Sequence, residues 1–164
     1  MPELVTAFKF ERDADVRDIA LQELLAIAPQ AAASLAPLLR RSLRSKDFWG
    51  PVMPMWALAR LRDSESLPLI KTLEGDRRPF VQATARVVAL ILEGRDGELL
   101  EAIRGRDHLH MPWLAHGASI LGTAEAIDAL SEWATSAPDA ECRRECEEAL
   151  RSIRDATRSA PRAD

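Results

Sequence analysis

Cys142 and Cys146 stand one helical turn apart with Glu141 and Glu145 beside them. Thiolates at this spacing are half of a zinc site or a redox pair. The other two ligands of a closed zinc site have no counterpart nearby, and a free cysteine also serves as a small buried hydrophobe. The three histidines, His108, His110 and His116, fall within nine residues of one another. With a carboxylate such as Asp107, two imidazoles could hold a transition metal. His108 and His110 precede Pro112, however, and a helix starting there need not aim His116 at them. They read more simply as turn and helix-start residues, and no metal or other cofactor is assigned.

Patterns for nucleophilic and phosphate chemistry are missing. There is no Gly-x-Ser-x-Gly elbow, no Gly-x-Gly-x-x-Gly fingerprint and no Walker loop, and the chain has only 7 glycines from which to build one. Paired carboxylates such as Asp63/Glu65 and Glu147/Glu148 read as solvated turns and helix faces. No catalytic residue is assigned, and an enzyme is unsupported by these patterns.

What remains is charge and aromatic surface. The cations are almost all arginine, with lysine only at Lys9, Lys46 and Lys71. Such usage, with abundant alanine, fits a GC-rich genome as easily as a function. Arg40, Arg41, Arg44 and Lys46 form one cluster, Arg77 and Arg78 a second, and Arg104 and Arg106 a third. The intervening turns carry Asp63 and Glu65, then Glu93, Asp96 and Glu98, then Glu125 and Asp128. Stacked in register, these would make a basic edge and an acidic edge, a steering surface for a charged partner. Helix dipoles ask for the same arrangement, with cations at C-termini and anions at N-termini. Among the aromatics, Trp49 is the best candidate for an exposed anchor; Trp49 and Trp113 fall near helix starts, Trp133 late in a helix, and most aromatics read as core. Met53, Met55 and Met111 suit either an adaptable patch or ordinary packing.

The elements that must position these residues are helical. Apolar residues recur at helical spacing between short breaks containing Pro, Gly or Asp, and strand alternation and hairpin turns are absent. The pattern predicts helices over 16–28, 31–44, 47–61, 66–73, 80–92, 98–103, 113–121, 123–134 and 140–158. A single domain over 1–158 and a polar tail over 159–164 follow from the length and the lack of a linker. No run of apolar residues is long enough to span a membrane, and the N-terminus lacks a signal-peptide pattern. A cytoplasmic location is expected. Two cysteines are too few for a disulfide framework, and a net charge of −4 disfavours nucleic-acid binding through bulk charge.

A short motif repeats through this helical chain. Val16-Arg17-x-x-Ala20-x-x-x-Leu24 recurs as Val81-Gln82-x-x-Ala85-x-x-x-Ala89 and as Cys142-Arg143-x-x-Cys146-x-x-x-Leu150. With a copy in each gap, the period is about 31–33 residues, the length of a helix–turn–helix unit that buries its apolar face on its neighbours. Asp-x-x-Pro-x-Val-Gln-x-x-Ala over 76–85 and Asp-Val-Arg-x-x-Ala over 15–20 resemble HEAT repeats. The short period is most similar to the HEAT-like subclass of phycobilin lyases and many bacterial proteins. The second repeat departs from the pattern, with Met53 for the Arg, Trp56 at the Ala position, and Pro51 and Pro54 in the helix. The fourth places His116 where a small residue belongs.

The resemblance implies an all-α solenoid of about four two-helix repeats and a C-terminal capping helix. It implies a noncatalytic protein-interaction module, an adaptor, scaffold or accessory subunit. The binding face then falls near Trp49, Met53, Arg77, Arg78, Arg104, Arg106 and Trp113, with another protein or a second copy as partner. A nucleic-acid-binding protein using the Arg-bearing turns is the alternative. A bilin-lyase-type protein handling a tetrapyrrole is a third reading, with His110, His116 or an Arg facing the propionates.

Overall fold

The computed structural model describes residues 2–10, 14–47, 50–105 and 110–159. Within them the chain is all-helical, with eleven α-helices, one 3-10 turn and no strand. The chain divides into two compact units, Met1–Leu92 and Glu93–Asp164.

The first unit opens with α1 (Pro2–Phe10), an element outside the predicted set, which has Glu3 in its first turn and Lys9 in its last, each matching the helix dipole. It packs along α2 (Ala14–Ile27). The stretch expected as one helix over 31–44 is two: α3 (Pro29–Ala33) and α4 (Ala36–Ser42). Pro37 is the cause. It has no N–H to donate to the carbonyl one turn back, at residue 33, so the helix restarts with Pro37 in its first turn. The Ser34 hydroxyl donates instead to Ala31 O at 2.6 Å and closes the break locally.

Helix α5 (Val52–Arg60) solves the proline problem differently. The helix starts at Val52 rather than near Asp47, so Pro54 occupies the first turn, where a backbone N–H has no intrahelical acceptor anyway. Seven of its nine residues are buried, Met55, Trp56 and Leu58 among them. Two residues past the end of the helix stands Arg62, whose φ of 52° is left-handed without being glycine. Its guanidinium donates to Ile91 O at 2.8 Å. That bond ties the end of α5 to the last turns of α7 (Pro79–Glu93). Between them a 3-10 turn (Ser64–Ser66) leads into α6 (Leu67–Leu73).

In the second unit, α8 (Asp96–Arg104), α9 (Met111–Leu121), α10 (Ala124–Ser136) and α11 (Ala140–Ser159) pack on one another. Their ends follow the predicted signals. Gly122 takes the left-handed conformation with φ 62° at the end of α9. Thr123 then caps α10, its Oγ1 accepting from Ala126 N at 3.2 Å. Asp139 does the same for α11, accepting from Cys142 N at 2.8 Å.

The small position of the recurring motif is buried in each quoted copy: Ala20, Ala85 and Cys146 are 3%, 0% and 0% exposed. Val81 and Cys142 are buried as well, whereas Val16 is 43% exposed. Ile19 and Ile27 on the same helix are exposed too, while Ala20, Leu21 and Leu24 are buried.

Candidate functional site

Helix α4 positions the site. Leu35, Leu39 and Leu43 recur at helical spacing and are buried. That alignment turns Pro37, Arg40, Arg41 and Arg44 to the surface, because residues three and four apart share a face. Two grooves adjoin along this row. One, of about 390 Å³, runs from α4 to the 3-10 turn and α6, reaching Glu65, Ser66, Pro68 and Leu69. The other, of about 420 Å³, runs from α4 to the end of α1, reaching Lys9, Phe10, Ser34 and Leu38. Pro37 and Arg41 line both, so the two form one continuous surface.

Charge is distributed unevenly over that surface. Arg40 is committed: its Nε donates to Asp63 Oδ2 at 2.8 Å, Nη2 donates to Asp63 Oδ1, and Nη1 donates to Glu65 Oε2 at 2.5 Å. A bidentate guanidinium–carboxylate pair is among the stronger polar contacts a surface can hold. The Arg40 guanidinium holds the Asp63 carboxyl below its ordinary range, against the opposing effect of burial. Asp63 is therefore a partner of Arg40, with its side chain only 12% exposed, and not the solvated turn residue expected. The picture of separate basic and acidic edges also gives way here, since Arg40 from one set binds Asp63 and Glu65 from the other. Lys9, Arg41 and Arg44 are exposed and form no ion pair among the described residues. The Ser34 and Ser66 hydroxyls donate to the carbonyls of Ala31 and Asp63. Among the described residues, the grooves are thus lined by apolar side chains and by three cations outside any ion pair.

The residues expected to form the binding face are dispersed. Trp49 and Arg106 lie outside the described residues, as do Phe48, Asp107 and His108. In the first unit, Met53 is half-buried in the first turn of α5 and Arg77 is exposed. Arg78 closes on its neighbour: Nε and Nη2 donate to Asp76 at 2.9 and 2.8 Å, and Nη1 donates to Asp47 O. The Arg78 guanidinium brings the Asp76 carboxyl down to about 2. In the second unit, Arg104 is exposed at the end of α8 and Trp113 is half-buried, its ring 6.3 Å from that of His110. Met55 and Met111 are fully buried, so they pack the interior and form no surface patch.

His116 is exposed on α9, and among the described residues no three His, Cys, Asp or Glu side chains converge as a metal site requires. Cys142 and Cys146 are both buried. Burial pushes both thiols up, Cys146 to about 12, with nearby carboxylates acting in the same direction. Both are expected to resist a thiol reagent at pH 8 in the native protein and to react fully in denaturant. Labelling counted by mass spectrometry checks this. Rapid native labelling of either would remove it from the core.

Sequence reasoning named the Arg40, Arg41 and Arg44 cluster but missed its neighbours Lys9 and Phe10. The spacing 37, 40, 41, 44 was a readable signal for one face, while nothing local marks Phe10, which is 77% exposed. No protein-family model, curated protein or solved structure matches the chain.

Proposed function

We propose that this chain is a noncatalytic protein-interaction module, cytoplasmic, built of HEAT-like helical repeats that stack as an α-solenoid. The recurring motif with its buried small residue supports the repeat reading. The observation that carries the function is the continuous surface along α4, where two grooves meet over Pro37 and Arg41. Its exposed Phe10 supplies the kind of aromatic anchor on which interfaces concentrate their energy. A heterologous protein is the partner in this reading.

The test compares the tagged wild-type chain with Phe10→Asp, purified from the native cytoplasm after nuclease treatment and in moderate salt. A protein retained in near-equal amount by the wild type and lost from the variant is the expected result. Phe10 is exposed, so the variant should keep its circular dichroism and melting temperature. The same retained proteins on both baits, or retention that nuclease abolishes, would overturn the reading.

A further inference from the structure

We propose that the α4 grooves take an acidic amphipathic peptide segment, one that sets apolar side chains on the groove floor and carboxylates on its rim. This rests on the protein-interaction reading and specifies the partner's chemistry. The floor is apolar where Leu38, Pro37, Pro68 and Leu69 meet the grooves, with Phe10 at one end. Lys9, Arg41 and Arg44 project around it, exposed and outside any ion pair among the described residues.

Among the described residues that line the grooves the one carboxylate, Glu65, is engaged by Arg40. Arg40 also carries Asp63, so this trio sums to −1 and offsets one of the three remaining cations. The three remaining cations leave a net positive groove on a chain of net charge −4. Complementarity therefore selects an anionic partner and sets its orientation. An apolar floor decides between anionic classes. A sugar–phosphate backbone has nothing to place against Leu38, Pro68 and Leu69, whereas an amphipathic peptide buries its own leucines there.

Fluorescence anisotropy with the full chain provides the test. The probes are a labelled synthetic peptide of about four helical turns with leucines on one face and glutamates on the other, its glutamine version, its lysine version, and a single-stranded oligonucleotide. The glutamate peptide should bind at least tenfold more tightly than the glutamine peptide and weaken with added salt, since exposed charges are screened. The double variant Arg41→Glu/Arg44→Glu should lose at least tenfold for the glutamate peptide. It should also bind the lysine peptide better than the wild type does. Both substituted side chains are exposed, and an unchanged melting temperature shows that the fold is kept. Equal affinity for glutamate and glutamine peptides would overturn the anionic requirement while leaving the protein-interaction reading in place. Tighter binding of the oligonucleotide than of any peptide would overturn both. Binding of no probe overturns this inference alone, because the retained-protein comparison tests the broader reading independently.

Discussion

Replacing Trp56 with alanine is expected to lower stability by about 3–5 kcal/mol, although alanine is the residue that the recurring motif asks for at this position. Trp56 is 6% exposed and lies on α5 between the fully buried Met55 and the nearly fully buried Ala57. In the motif's quoted copies a small side chain is buried at this position, as at Ala20 and Ala85. Here an indole fills the space, so its removal leaves a cavity that the packed helices collapse into only partly. A natural domain is stable by about 5–15 kcal/mol, so this substitution takes a large share of the total. Urea denaturation followed by far-ultraviolet circular dichroism measures it. A loss below about 1 kcal/mol would show that the site closes without cost and that Trp56 is dispensable to the core.

Cys146→Asp should cost at least as much, about 3–5 kcal/mol at neutral pH, whereas Cys146→Ala should cost only about 1 kcal/mol. Cys146 is 0% exposed, and the residues that raise its thiol are acidic or another thiol: Cys142, Glu145 and Glu147. A carboxylate placed there meets like charge, and no cation is among the groups that act on the thiol. Its folded pKa would lie above its unfolded value. The native state then binds the extra proton more tightly, and stability falls as pH rises through the interval between the two values. The Cys146→Asp deficit should accordingly be smaller at pH 4 than at pH 7, while the Cys146→Ala deficit should be the same at both. Denaturation midpoints at the two pH values decide the matter. A variant carrying aspartate with near-normal stability at pH 7 would mean that the position is open to water and would return the thiols to consideration as a site.

Much of the helical organisation was legible because its signals are local. Gly122 stops α9, Thr123 and Asp139 cap the helices that follow them, and Pro79 opens α7. Each depends on backbone groups within a few residues. The error over 31–44 was local too: Pro37 was passed over as a helix start because Leu35, Leu38, Leu39 and Leu43 kept the helical spacing running through it. The proline pair of α5 was read as an irregularity, and starting the helix at Val52 places Pro54 where it costs nothing. The candidate site was half legible. The spacing of Arg40, Arg41 and Arg44 put them on one face, but the companions of that face come from α1 and α6, 25 or more positions away in the chain for Glu65, Pro68 and Leu69 relative to Arg40.

The amino-acid sequence alone determined that the chain is helical, where most helices end, and which side chains repeat at the small buried position. All of these follow from hydrogen-bonding capacity and apolar periodicity within one or two turns. Only the tertiary structure decided which charges are spent. Arg40 closes on Asp63 across 23 positions, Arg78 reaches Asp47 O across 31, and Arg62 reaches Ile91 O across 29. Arg41 and Arg44, beside Arg40 and chemically identical to it, form no ion pair among the described residues. Charge pairing depends on distance in space, and neighbours in sequence on a helix diverge by about 100° around its axis. Which of these arginines is held in an ion pair was therefore settled by packing.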